Sequence, residues 1–378
     1  MASDWQASLS FSERLGFIQK IQAATGHLTN AKRLETEAYK VARSRDEYQS
    51  IVQAASAKVE PVRCPDVAQQ PFEHHEQSHP GSEGQTIGKY KTAHHHRDGV
   101  SSAIFRAHHP TDVGVVVALK VTHPSTQTPP HNAKREARLL KKAASPYVVP
   151  LIEKFEQSGG NLVLAFPFMP FDLAQLLEQG GLTDWQRQTY LRDLLTGLSH
   201  VHALGIIHRD IKPSNVLLKS RSGPAVIADF GTAWSQDDPA SEPPNQKILD
   251  VGTTSYRPPE LLFGYQSYDK SLDLWAMGCV VAQVVGLGSR TLFDSGDLGS
   301  ELALIKSIFE TLGTPDLTVW PEAAGFSDWG KMSFYEYPGR SWAEILPSAS
   351  DSARDLASAM IKFESGDRLT ARQVRRAA

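Results

Sequence analysis

The chain has 378 residues, 40% of them hydrophobic, and its 39 basic and 42 acidic residues give a formal net charge of −3. That balance excludes a wholesale nucleic-acid or membrane-surface binder, and two cysteines, Cys64 and Cys279, are too few for a disulfide framework. The apolar run Cys279 to Val285 is broken by Gln283 and falls far short of the ~20 residues a bilayer requires.

No basic stretch followed by an apolar one marks a secretory signal. The expected setting is intracellular, in the nucleus, the cytoplasm or both. At roughly one domain per ~150 residues, the length allows two folded units or one bilobal one. Residues 1–60 read as helical, because Leu15, Ile18 and Ile21, then Leu34, Ala38 and Val41, recur at three- and four-residue spacing. Gly26 and Asn30 interrupt the middle, which predicts two helices joined by a turn. The segment is either a regulatory or docking extension or an amphipathic appendage of its own domain. Residues 61–86 carry Pro61, Pro65, Pro71, Pro80, Gly81 and Gly84, and read as a flexible linker.

Beyond Tyr90 the pattern becomes that of strands. Ala103–Ala107 and Val115–Val121 predict an antiparallel pair around the turn residues His109-Pro110-Thr111-Asp112. The second strand ends on Val117-Ala118-Leu119-Lys120, and a lysine buried there needs an anionic partner. Glu136, on a helix predicted over Lys134–Lys142, is the candidate. Further strands are expected over Val148–Phe155 and Leu162–Phe168. Leu173–Leu177 begins a helix, and a longer one runs from Thr183 to about Leu204, with Thr183 as N-cap and Gln186 three residues on. Its face carries Leu191, Leu194, Leu195, Leu198 and His202. His94-His95-His96 and His108-His109 fall on neighbouring strands without a cysteine or carboxylate set to complete a metal site, so they are expected on exposed strand surfaces.

The chemistry concentrates in His208-Arg209-Asp210-Ile211-Lys212-Pro213-Ser214-Asn215, followed by Asp229-Phe230-Gly231. An acid, a lysine two places on and an asparagine five places on can accept a hydroxyl proton, screen a transferring phosphate and bind a divalent cation. With Tyr256-Arg257-Pro258-Pro259-Glu260 downstream, these motifs resemble the catalytic loop and anchor of eukaryotic protein kinases. Lys212, with Thr253, is similar to the serine/threonine class.

The resemblance covers about residues 88–376 and implies an α+β, bilobal protein-kinase fold. The kinase domain would span 87–378, with a β-rich N-lobe over about 87–168, a hinge over 166–172 and a mainly helical C-lobe over 173–378. It implies ATP and Mg²⁺ as cofactors and a protein as substrate. In that scheme Asp210 is the base, Lys212 neutralises the γ-phosphate, Lys120 paired with Glu136 holds the α- and β-phosphates, and Asn215 and Asp229 bind magnesium. Gly99, Ala118, Lys120, Phe166, Pro167, Met169, Asp172 and Leu218 would form the nucleotide site. Glu260 would pair with Arg368, and Asp273 would brace the catalytic-loop backbone.

Pro130-His131-Asn132-Ala133-Lys134-Arg135-Glu136, Phe166-Pro167-Phe168-Met169 with Asp172, and Leu312-Gly313-Thr314-Pro315-Asp316 resemble the cyclin-dependent kinase branch. Three departures stand out. Arg97, Gly99 and Ser102 fall where the branch has a G-x-G-x-x-G loop, so only the middle glycine is kept. No Ser or Thr lies between Glu242 and Gly252, where an activating phosphate is expected, which leaves Asp250 or Glu242 to meet Arg209. Lys134 replaces an isoleucine that meets cyclin.

The first two departures resemble the single-subunit, fungal-type kinases that activate cyclin-dependent kinases. That resemblance implies a monomer phosphorylating the activation loop of other cyclin-dependent kinases without a cyclin. The alternatives are a kinase that needs a cyclin partner and a pseudokinase scaffold.

Overall fold

The computed structural model describes residues 84–373 apart from 100, 101 and 113, together with 44–57 and positions 17, 20, 38 and 42. The chain divides into two compact units, residues 1–78 and 79–378. In the first, helix α1 spans Arg45–Ala57. Tyr48 and Val52, four apart on one face, are buried, and Tyr48 meets Phe17 edge-on at 5.4 Å. The expected turn at Gly26 and Asn30 and the linker up to residue 83 lie outside the described residues.

The second unit opens with β1 (Gln85–Ile87), β2 (Tyr90–Asp98), β3 (Ala103–His108) and β4 (Val116–Thr122), followed by helix α2 (Ala133–Lys142), β5 (Glu153–Glu156) and β6 (Leu162–Pro167). Their sheet is antiparallel, in the order β1-β2-β3-β4-β6-β5. The strand pleat does the sorting. Val117 and Leu119 of β4 enter a core with Ile87, Tyr90, Ala107, Val163 and Ala165, while Ala118 and Lys120 take the other face. Residues directly across a ladder share a face, so Ile104 and Leu164 flank Lys120, and Arg106 and Phe166 flank Ala118. Helix α2 lays Ala133 and Ala137 on Leu162 and Leu164 of β6, its small side chains allowing close approach.

The strand expected over Val148–Phe155 forms only from Glu153. Pro150 has no N–H to donate, the Val149 N–H goes to the Ile227 carbonyl, and Val148 makes a single parallel bridge to Ile227. These residues bind the second lobe, not the sheet.

After β7 (Phe171–Asp172) the chain is mainly helical, with α3 (Leu173–Gln179) and α4 (Asp184–Ala203). Thr183 and Gln186 form the reciprocal capping box expected of them, and Leu191, Leu194, Leu195 and Leu198 are buried. The remaining strands are β8 (Ile206–Ile207), β9 (Val216–Leu218), β10 (Ala225–Ile227) and β11 (Trp234–Ser235); β9 lies between β7 and β10, and β8 pairs with β11. The longer helices that follow are α5 (Ser271–Ala282), α6 (Glu301–Leu312) and α7 (Asp351–Met360), with single helical turns at Pro259–Leu262 and Trp342–Ile345. Every residue of α5 is buried, so this helix forms the lobe's axis. The result is the bilobal α+β architecture expected from the motifs.

Candidate active site

The loop between β8 and β9 is fixed from behind by one carboxylate. Asp273 of α5 accepts the backbone N–H groups of His208 and Arg209, each at 2.8 Å, and His202 of α4 at 2.9 Å. Arg209 is held at φ +69 by this arrangement, a left-handed conformation unusual for a side-chain-bearing residue. The His208 ring sits on Phe230 at 4.8 Å and contacts the Ala228 carbonyl at 3.0 Å, which ties the loop to the Asp229 segment.

On that frame Asp210 becomes a hub. Its Oδ1 accepts the Thr253 N–H at 3.0 Å and the Thr253 hydroxyl at 2.9 Å. Its Oδ2 accepts the Asn215 amide at 2.9 Å and pairs with the Lys212 ammonium at 2.9 Å. Lys212 also donates to the Thr253 hydroxyl at 2.7 Å. Both Asn215 side-chain bonds run from Nδ2, which leaves its oxygen as the end suited to a hard cation.

Across the cleft, Lys120 donates to both oxygens of Glu136, at 2.7 and 2.9 Å, and to Asp229 at 2.7 Å. The expected pair therefore forms, and Asp229 joins it. Burial alone would lower the Lys120 pKa, but the carboxylates of Asp229 and Glu136 outweigh it and hold the ammonium above its usual value. Burial pushes Glu136 upward against the pull of Lys120. Lys120 in turn holds Asp229 far below the usual carboxylate range. With its side chain 49% exposed, Asp229 offers an ionised carboxylate to the cleft. Among the described residues no three His, Cys, Asp or Glu side chains cluster as a metal site. An acid, an amide oxygen and the phosphates of a nucleotide are nevertheless a fitting set for Mg²⁺.

Ala118 and Phe166 face each other across β4 and β6, followed by Pro167 and Met169, with the Phe168 N–H donating to the Val116 carbonyl. Asp172 caps α3 through the Gln175 N–H and lies 4.0 Å from Arg97. Gly99 closes the β2–β3 turn by donating to the Ser102 carbonyl at 2.7 Å. A Cβ on Gly99 would meet the Ser102 hydroxyl at 2.8 Å, a contact that rotation of the serine side chain can relieve. His96 occupies the β2 bulge and sets its ring edge-on to Phe168 of the hinge at 5.3 Å, a role beyond that of an exposed strand histidine.

Leu218 needs correcting. It is fully buried in the core of the helical lobe. Its neighbour Leu217, half-buried and paired with Asp172, shares the Asp172 face instead.

Of the two acids proposed to meet Arg209, Glu242 does so. Arg209 donates to Glu242 at 3.0 Å and to the Tyr268 hydroxyl at 2.9 Å, and Arg135 lies 3.8 Å from the same carboxylate. Burial alone would raise Glu242, but hydrogen bonding and charge from Arg209 hold it below the usual range. Asp250 pairs with Arg257 instead, at 2.6 Å. Arg257 also donates to the Gly252 carbonyl at 3.0 Å; at φ +74, Gly252 packs so tightly that a Cβ would lie 2.8 Å from the Arg209 carbonyl. Glu260 and Arg368 form the expected buried pair, at 2.6 and 2.7 Å. The contacts of Arg138 with Asp238 and of Trp234 with Glu242 had no local sequence signal, because the partners are brought together only by the fold.

The protein kinase domain family matches residues 91–378. Among curated proteins, the serine/threonine-protein kinase csk1 of Schizosaccharomyces pombe is 34% identical over 71% of this chain and 87% of its own length. Cyclin-dependent kinase 20 of Homo sapiens is 36% identical over 72% of this chain and 78% of its length, and that of Danio rerio is 34% identical over 73% and 78%. These likenesses fall on the two-lobed scaffold and its assembled cleft, and the chain belongs to the protein kinase family as a serine/threonine kinase of the cyclin-dependent kinase branch.

Proposed function

We propose that this kinase phosphorylates the activation loop of other cyclin-dependent kinases, acting as a monomer with no cyclin and no phosphate on its own loop. The observation that carries the reading is Glu242. Its carboxylate meets Arg209 and Arg135 in a loop without a phosphorylatable residue between 242 and 252. A built-in anion can order the segment as an added phosphate does, by charge-assisted bonds to arginine. The residual resemblance to the fungal-type activating kinases supplies the substrate class.

In the reaction, Asp210 orients the acceptor hydroxyl and takes its proton, while Thr253 and Asn215 hold the carboxylate in place. Lys212 stands beside Asp210 to neutralise charge on the transferring phosphoryl group. Lys120, fixed by Glu136, steadies the α- and β-phosphates of ATP. Ala118, Phe166, Leu217 and the backbone of Pro167 and Met169 form the adenine site, with Asp172 at the ribose. Asn215 and Asp229 would hold Mg²⁺, which would supply charge neutralisation for the transferring phosphoryl group. The assembled Lys120–Glu136–Asp229 trio supports a working enzyme over a pseudokinase scaffold, despite the reduced glycine loop.

The test is a labelling assay in which the purified chain, given Mg-ATP, meets a catalytically inactive cyclin-dependent kinase, with Asp229→Asn as control. The expected result is phosphate on the substrate's activation loop without cyclin. Labelling only after cyclin is added would overturn the proposal.

A further inference from the structure

Helix α2 carries Glu136, so whatever fixes α2 fixes the Lys120–Glu136 pair. Its cations Arg135, Arg138 and Lys142 follow at three- and four-residue spacing and share a face. The activation segment runs past that face in the opposite order. Arg135 donates to the Ala240 carbonyl at 3.0 Å, Arg138 meets Asp238, and Lys142 meets Asp237 at 3.1 Å.

The middle contact is the strongest. The Arg138 guanidinium donates from Nε and Nη2 to the two Asp238 oxygens, at 2.7 and 2.8 Å, a two-pronged geometry with directional specificity. Asp238 is prepared for it. Its side chain is only 5% exposed, and its Oδ1 also accepts the Ala240 N–H at 2.9 Å, a bond independent of the arginine that orients the carboxylate. The hydrogen bond from Arg138 holds Asp238 below the usual carboxylate range, and the same bond raises Arg138. Asp237, far more exposed than Asp238, forms the rim of the contact with Lys142.

We infer that Arg138 and Asp238 are a positioning pair that clamps α2 to the activation segment, so that Glu136 stays on Lys120 without a second protein to hold the helix. This deepens the cyclin-independent reading and rests on it. The clamp is separate from the Glu242 contact, which joins the segment to Arg209 of the catalytic loop and, less closely, to Arg135 of α2. Arg138 and Asp238 act through the helix that bears Glu136.

The test uses the full chain in four forms: wild type, Arg138→Ala, Asp238→Ala and the exchange Arg138→Asp with Asp238→Arg. Each is assayed for kcat/KM on a protein substrate without cyclin and for thermal unfolding. Each single variant is expected to lose roughly 10- to 100-fold in kcat/KM while still unfolding cooperatively, and the exchange should recover most of the loss, as for a coupled pair. Because Arg138 is partly exposed, wild-type activity should also fall with salt more steeply than that of Arg138→Ala. Wild-type activity without cyclin that survives undiminished in both folded single variants would overturn the clamp and leave the parent reading intact. An inactive wild type that cyclin rescues would overturn the parent reading. Folded single variants that lose activity, with an exchange no better than either, would show that the two positions do not act as a pair.

Discussion

Replacing Glu242 with alanine leaves Arg209, fully buried, without its counter-charge. Removing one member of a buried pair costs about 3–5 kcal/mol. Arg209 keeps the Tyr268 hydroxyl at 2.9 Å, and the Glu242 side chain is 15% exposed, so the lower end, about 3 kcal/mol, applies. That loss falls on the ordered form of the activation segment and not on its released form. At ~1.4 kcal/mol per decade, kcat/KM should drop by up to about 100-fold. Glu242→Gln keeps the shape and an acceptor oxygen and should fall between wild type and alanine. Steady-state kinetics would be read beside amide exchange over residues 235–252, which should speed up in the alanine variant. Glu242→Ala within about threefold of wild type, with unchanged exchange, would refute the reasoning.

Titration gives a second check. A carboxyl whose folded pKa is depressed contributes stability above the ordinary value of about 4.3, and loses it only as pH falls through the lower folded value. The difference in Tm between wild type and Glu242→Gln should therefore stay flat from about pH 8 to 5.5, and a difference that collapses near pH 6 would contradict the carboxylate tether. Glu260→Ala leaves Arg368 buried and unpaired; at about 3–5 kcal/mol it should lower Tm by roughly 10 °C, and a shift under about 3 °C would count against the pair. Gly252→Ala combines left-handed strain of about 1–2 kcal/mol with a Cβ 2.8 Å from the Arg209 carbonyl, so kcat/KM should fall at least about tenfold. Thr253→Ala removes the hydroxyl shared by Asp210 and Lys212 and should cost roughly 100-fold in kcat, whereas Thr253→Ser should stay within a few-fold.

The parts of the fold legible in the sequence are those whose chemistry is local or whose partner is forced by burial. The Thr183–Gln186 capping box lies within one turn, and a lysine ending an apolar strand must find an acid, which Glu136 supplies. The motif resemblance led to Glu260–Arg368 and to the bracing by Asp273. What was not legible depends on which way a face turns. Period-two alternation groups Val216 with Leu218 against Leu217, but does not say which set is buried; the structure buries Val216 and Leu218 and pairs the half-buried Leu217 with Asp172. The apolar run at 148–155 has the composition of a strand, yet a proline and two bonds to Ile227 draw its first half to the other lobe. Arg138 and Asp238 stand a hundred residues apart and belong to no motif.

The carboxylate on Arg209 has one further consequence. A phosphate is added and removed by other enzymes, and its second ionisation near pH 6 makes its charge respond to the cell interior. Glu242 is installed by translation, so no phosphatase can erase it. A kinase ordered in this way has no chemical off-switch at that position.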